Sequence, residues 1–310
     1  MIANELKEKN KRIMNTKHPS RRAFIAQSSL AFALAGCSKR STSGEPLFKI
    51  SLAQWTINKE LKSGAIDNLD FAKVASDHGI YAIEYVNQFF MEKAQDTSYL
   101  AEMKKRASDH GVESVLLMCD REGDLGDPDE ATRSQTVDNH RKWIDAAKYL
   151  GCHSIRVNAA SKGSFDEQVK LAADGLARLT AIGDASGINV IVENHGGLSS
   201  NADWLAAVIE MVDHPRCGTL PDFGNFKIDD DESYDSYRGI DKLMPYAKGV
   251  SVKDVVWDDD VNESSLDFER MLKIVLDHEF HGYCGIEYGG FEGLNASRKR
   301  LEQAREGLSA

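Results

Sequence analysis

At 310 residues, with 42% hydrophobic and 28% charged side chains, the chain has the balance of a water-soluble globular protein able to bury a large core. Its formal net charge is −11, and no stretch gathers Lys and Arg into a basic stripe. Nucleic acid is therefore not an expected partner.

The first 36 residues differ from the rest. "SRRAFI" (Ser20 to Ile25) pairs Arg21 and Arg22 with Phe24, and an apolar run ending in "AFALAG" leads to Cys37. A basic segment followed by roughly 14 apolar residues is too short for a stable membrane-spanning helix and has the form of an export signal. A core helix preceded by chance basic residues is the alternative; Pro19 before the run and the linker-like "CSKRSTSGEP" after it argue against that. The stretch resembles a twin-arginine signal, and "LAGC" (Leu34 to Cys37) resembles the lipobox of a bacterial lipoprotein. The resemblance implies lipidation at Cys37, loss of residues 1–36, and a periplasmic or membrane-anchored product whose only membrane contact is the lipid. Residues 1–36 hold seven Lys/Arg and two Asp/Glu, so the remainder carries 31 against 47, a net of −16.

A linker is expected over 37–47 and a single domain over 48–310. Strand-like runs follow at 48–55, 81–86, 112–119, 153–159, 188–194, 218–223, 248–253 and 284–289. Between them lie segments with helical spacing of apolar residues, among them 68–79, 97–111 and 138–151. Gly79, Gly111, Gly151 and Gly187 stand where helices should end, and Ser200 or Asn201 can cap a helix beginning near Ala202. A last helix is expected at 297–308. Eight strands alternating with helices over about 260 residues indicate an α/β fold, a (β/α)8 TIM barrel. A doubly wound open sheet would show a Gly-rich loop after its first strand, and "SLAQWTINKEL" has none. Cys119, Cys152, Cys217 and Cys284 lie in or beside apolar runs with no CxxC spacing and are expected as buried free thiols.

Barrel strands present active-site groups at their C-terminal ends. Gln54 and Trp55 end the first strand, Glu84 lies on the second, and Arg156 and Asn158 on the fourth. Glu193 closes the fifth, with Asn194 and His195 beyond it, and Asp222 closes the sixth, with Asn225 beyond it. Ser251 and Lys253 share a face of the seventh, and Glu287 closes the eighth. Three buried carboxylates need compensation. Oxygen ligands suit magnesium or manganese, and an added imidazole admits zinc or cobalt; ion pairs with Arg156 and Lys253 are the alternative.

"VIVENHGG", "LPDFGN", "KGVSVKD" and "GYCGIEYGG" resemble successive strand ends of the xylose-isomerase-like superfamily of sugar isomerases and epimerases, over residues 48 to 310. The resemblance implies one divalent metal (Mn, Mg, Co or Zn) held by a Glu, an Asp, a His and a Glu. Glu193, Asp222 and Glu287 match, and the histidine position falls on Ser251. It further implies that Glu193 and Glu287 are an acid–base pair working through an enediolate, and that His195 contacts substrate. Arg156, Asn225, Lys253 and Glu84 are candidates for holding sugar hydroxyls, and Trp55 and Trp257 for stacking on a sugar face. Lys253 could lower a neighbouring carboxylate's pKa, bind a substrate oxygen, replace the cation, or be a structural ion-pair partner. The leading expectation is a metal-dependent sugar isomerase or epimerase. A lyase or hydratase acting on 3-keto-sugars or glycosides uses the same enolate, and a sugar-binding lipoprotein without catalysis is the third reading.

Overall fold

The structure is a computed structural model that describes residues 46–253, 255–256 and 264–309. The expected signal segment, Cys37 and Trp257 lie outside the described residues. Eight short runs of β-branched and small residues become strands: β1 (Lys49–Ala53), β2 (Ala82–Val86), β3 (Glu113–Met118), β4 (Ser154–Val157), β5 (Asn189–Glu193), β6 (Cys217–Leu220), β7 (Val250–Val252) and β8 (Tyr283–Ile286). All pair in parallel in one sheet of order β6-β5-β4-β3-β2-β1-β8-β7.

The two ends of that order meet. Lys248 N donates to Thr219 O at 3.0 Å, Ser251 N to Pro221 O at 2.9 Å and Phe223 N to Ser251 O at 3.1 Å. The eight parallel strands thus form a nearly closed (β/α)8 barrel, as the alternation of runs predicts. The sixth strand stops at Leu220 rather than 223 because Pro221 has no N–H to give the ladder. The first stops at Ala53, and Gln54–Ile57 turn into a short 3-10 helix.

Around the sheet lie α1 (Asn58–Ser63), α2 (Phe71–Asp77), α3 (Thr97–Asp109), α4 (Glu130–Leu150), α5 (Phe165–Ser186), α6 (Ala202–Val212), α7 (Ser236–Leu243), α8 (Phe268–Asp277) and α9 (Gly290–Ser309). The four glycines expected at helix ends all have positive φ. Asn201 caps α6, its side chain accepting from Asp203 N and Trp204 N. The last helix begins at Gly290, seven residues before the expected 297. The four cysteines named for the barrel are buried thiols outside any disulfide.

Strand alternation sorts the apolar residues into two sets. Val190, Val192, Val250, Val252, Cys284 and Ile286 join the large core between sheet and helices. Ala53, Ala82, Val86, Leu116, Met118, Ile191 and Leu220 form a second cluster. The polar strand residues Ser51, Glu84, Arg156, Glu193 and Ser251 share the parity of this second cluster, and those toward the C-terminal ends of the strands border the site. No helix among the described residues is long and apolar enough to cross a membrane.

Candidate active site

Glu193, Asp222 and Glu287 end β5, follow β6 and follow β8, and each offers an oxygen within 4.8 Å of the other two. All three are almost fully buried. Local hydrogen bonds fix each of them. Asp222 Oδ1 accepts from Gly224 N and Asn225 N, both at 2.8 Å, the Asx turn that "PDFGN" favours. Asn194 accepts from Asp222 N at 2.7 Å and donates to the carbonyls of Asp222 and Asn225, tying the end of β5 to that turn. Asn225 donates from its side chain to Glu193 Oε1 at 3.0 Å. Ser251 Oγ donates to Glu287 Oε2 at 2.5 Å.

Two cations face these acids. Lys253 Nζ lies 3.1 Å from Asp222 Oδ2, 3.6 Å from Glu287 Oε2 and 3.9 Å from Glu193 Oε1. Arg156 Nε lies 3.0 Å from Glu193 Oε2, and its Nη1 donates to Asp120 Oδ1 at 2.7 Å. Asp222 Oδ2 and Glu193 Oε2 are buried without a hydrogen bond, so these two oxygens are compensated by charge alone. Asp120 also accepts from Gln88 at 2.9 Å and Asn158 at 3.1 Å.

The environment separates the acids. Burial and the charge on Glu287 push the Glu193 carboxyl well above its ordinary range, outweighing Arg156 and Lys253. Burial acts on Glu287 too, but there Lys253, Arg156 and the Ser251 hydroxyl prevail and hold it low. Burial would neutralise Lys253, yet Asp222, Glu287 and Glu193 together raise it, so it stays an ammonium. Burial opposes the ionised form of Asp120, and the Arg156 charge with its hydrogen bonds wins, keeping it an anion. Desolvation by its surroundings and the charges of Arg156 and Lys253 lower His195, favouring the neutral ring.

Trp55, Val86, Gln88, Asp120, Arg156, His195, Lys253 and Glu287 line a pocket of about 140 Å³ over this floor. A wider cleft of about 610 Å³ adjoins it at His195; its walls include Asn158, Ser161, Gln168 and Asp229. Of the residues singled out in the sequence, Trp55, Arg156, His195, Lys253 and Glu287 line the pocket, with Glu193, Asp222, Ser251 and Asn225 around it or beneath. Glu84 is buried apart, held by Ser51 Oγ at 2.6 Å and packed where a Cβ on Gly285 would stand. Gln54 is a brace: it accepts from Val86 N at 2.7 Å and donates to Asn68 at 2.6 Å. Asp120 and Gln88 were not anticipated. Asp120 lies two residues past the end of β3, so the rule that found Glu193 would have found it had "VLLMCD" been read one residue further.

The three carboxylate oxygens make the acidic cluster that a divalent ion needs. Their shared space, however, holds the Lys253 ammonium at 3.1–3.9 Å from all three. The fourth donor of the implied set is a hydroxyl already committed to Glu287. As placed, these residues do not fit an added divalent ion.

No curated protein sequence matches the chain. Solved structures align over most of it. The apo form of the 3-keto-D-glucoside 4-epimerase YcjR from E. coli is 17% identical, covering 84% of this chain and 99% of its own, with a TM-score of 0.63. A D-psicose 3-epimerase with D-tagatose from Clostridium cellulolyticum H10 is 12% identical, with coverages of 84% and 99% and a TM-score of 0.62. A xylose isomerase-like TIM barrel protein from Mycobacterium smegmatis, in complex with magnesium, is 15% identical, with coverages of 85% and 98% and a TM-score of 0.64. At these identities the likeness is one of fold. The family model described as xylose isomerase-like TIM barrel matches residues 72–310, which is most of the barrel, and on that match the chain belongs to this family.

Proposed function

We propose that the chain is a sugar isomerase or epimerase that moves a proton at a carbon beside a carbonyl. One observation carries the reading: Glu193 and Glu287, both buried, bring oxygens within 4.8 Å at the barrel's strand ends, with Arg156 against the first and Lys253 and Ser251 against the second, and this setting favours a raised Glu193 and a low Glu287. A low carboxylate beside a raised one is the arrangement for a base and an acid acting in one turnover. Glu287 takes the proton from carbon, the electron pair moves onto the carbonyl oxygen to give an enediolate, and Glu193 returns a proton to the adjacent carbon or oxygen. Oxygens of the two carboxyls lie within 4.8 Å of each other, close enough to serve one carbon or two neighbouring ones of a substrate held between them. Arg156, His195, Asn225 and Lys253 orient the substrate's oxygens, and Trp55 offers a ring face to the sugar. The named activities of the E. coli and Clostridium structures support this class of chemistry.

Glu287→Gln should slow exchange of solvent deuterium into substrate by about 10²–10⁴-fold. Exchange at the wild-type rate would remove Glu287 from the reaction.

A second reading has its own support. The 610 Å³ cleft meets the pocket at His195 and has room for a substituent on the sugar. A glycoside or 3-keto-glycoside would place its ring on the carboxyls and its aglycone in the cleft, and the same enolate could then expel a leaving group. We propose export by residues 1–36 with lipidation at Cys37 as part of this reading, since an exported enzyme meets glycosides rather than sugar phosphates. Turnover of a panel of unphosphorylated sugars and 3-keto-glycosides separates the two: isomer products support the first, release of aglycone the second.

A further inference from the structure

The fourth side chain in the acidic cluster is the least expected part of the site. Lys253 Nζ stands 3.1, 3.6 and 3.9 Å from one oxygen each of Asp222, Glu287 and Glu193. These are the three residues whose oxygens converge closely enough to hold an ion. The lysine follows directly on β7, so its attachment is set by the barrel, and its side chain is only 12% exposed. Asp222 Oδ2 has no hydrogen-bond donor, so the ammonium charge is what compensates it. Ser251, two residues earlier on the same face, presents no imidazole and uses its hydroxyl hydrogen on Glu287. With Arg156 on Glu193, two fixed cations already face three carboxylates.

We propose that the Lys253 ammonium is the resident cation of this site, occupying the position of a divalent ion and making the carboxylate cluster metal-independent. The pocket above is lined by both Lys253 and Glu287, so a substrate oxygen placed there meets the ammonium and the carboxylate together. The ammonium would then stabilise charge on the enediolate oxygen while Glu287 holds the proton taken from carbon; no oxidant or co-reactant is needed. Only this catalytic half rests on the proposed isomerase chemistry. The occupancy half is independent of it and can be tested without a substrate.

The test is a titration of the purified full chain with Mn²⁺, followed by the electron paramagnetic resonance of the free ion and by thermal melting with and without EDTA. The wild type should take up no ion at this site, and neither Mn²⁺ nor EDTA should move its melting temperature. Lys253→Met keeps the length of the side chain and removes its charge. It should bind one equivalent, at least about tenfold more tightly than the wild type, and Mn²⁺ should raise its melting temperature. Adding Ser251→His should tighten binding further. Stoichiometric, saturable Mn²⁺ uptake by the wild type would overturn the proposal, and that arm needs no variant to fold. So would a Lys253→Met protein that binds no better than the wild type. If the occupancy result holds while no sugar or glycoside is turned over, the isomerase reading fails alone.

Discussion

Glu84 carries a second lesson in how this barrel handles buried charge. One oxygen accepts from Ser51, the other has no partner, and burial pushes the carboxyl up to about 7. The folded state therefore prefers the protonated acid. Its stabilising contribution is complete below the ordinary carboxyl range near 4.5, fades as pH rises, and is gone above about 7. Relative to Glu84→Gln, the wild type should lose about 3 kcal/mol of stability between these limits, read from urea midpoints across pH. Parallel pH profiles for the two proteins would show that Glu84 titrates normally. Glu84 also marks what residue-level reading could and could not reach. Its strand and inward parity were legible, because alternation in "AIEYV" fixes them. Its distance from the pocket was not, because that depends on Gly285 leaving room beneath the floor.

Helix α5 shows the same division at the level of an element. Its capping box at Ser164 and Glu167 and its end at Gly187 follow from local sequence. Gly175, in its middle, does not: by propensity alone, alanine there would favour the helix by about 1 kcal/mol. A Cβ on Gly175 would instead collide with the backbone carbonyl of Leu125, which is fully buried between β3 and α4. Backbone cannot swing aside as a side chain can, so Gly175→Ala should cost about 1–3 kcal/mol net, measured by denaturant unfolding. A gain in stability would mean that the β3–α4 segment yields. The long elements were readable because their apolar period is local. Asp120 lay within reach of the strand-end rule, but Gln88 did not, because it meets Asp120 only once β2 and β3 pair.

For the whole molecule the decisive feature is where the barrel closes. The β6–β7 seam carries three backbone hydrogen bonds, and two of them involve Ser251. Pro221 prevents a full ladder there. Amide exchange at Ser251 and Phe223 should therefore be faster than at Val190 and Val192, whose strand pairs with neighbours on both sides. Equal protection would show that the seam opens only with the whole barrel. The seam separates Asp222 from Lys253 in the sheet, so their ion pair also latches the closure. An ion in solution occupies a site according to its concentration, and it can be chelated, exchanged or outcompeted. A charge tethered by its own strand has no dissociation equilibrium with the medium. With Lys253 as its resident cation, as we propose, such a barrel is complete when it folds, in surroundings rich or poor in metal, and a chelator would have nothing to remove from it.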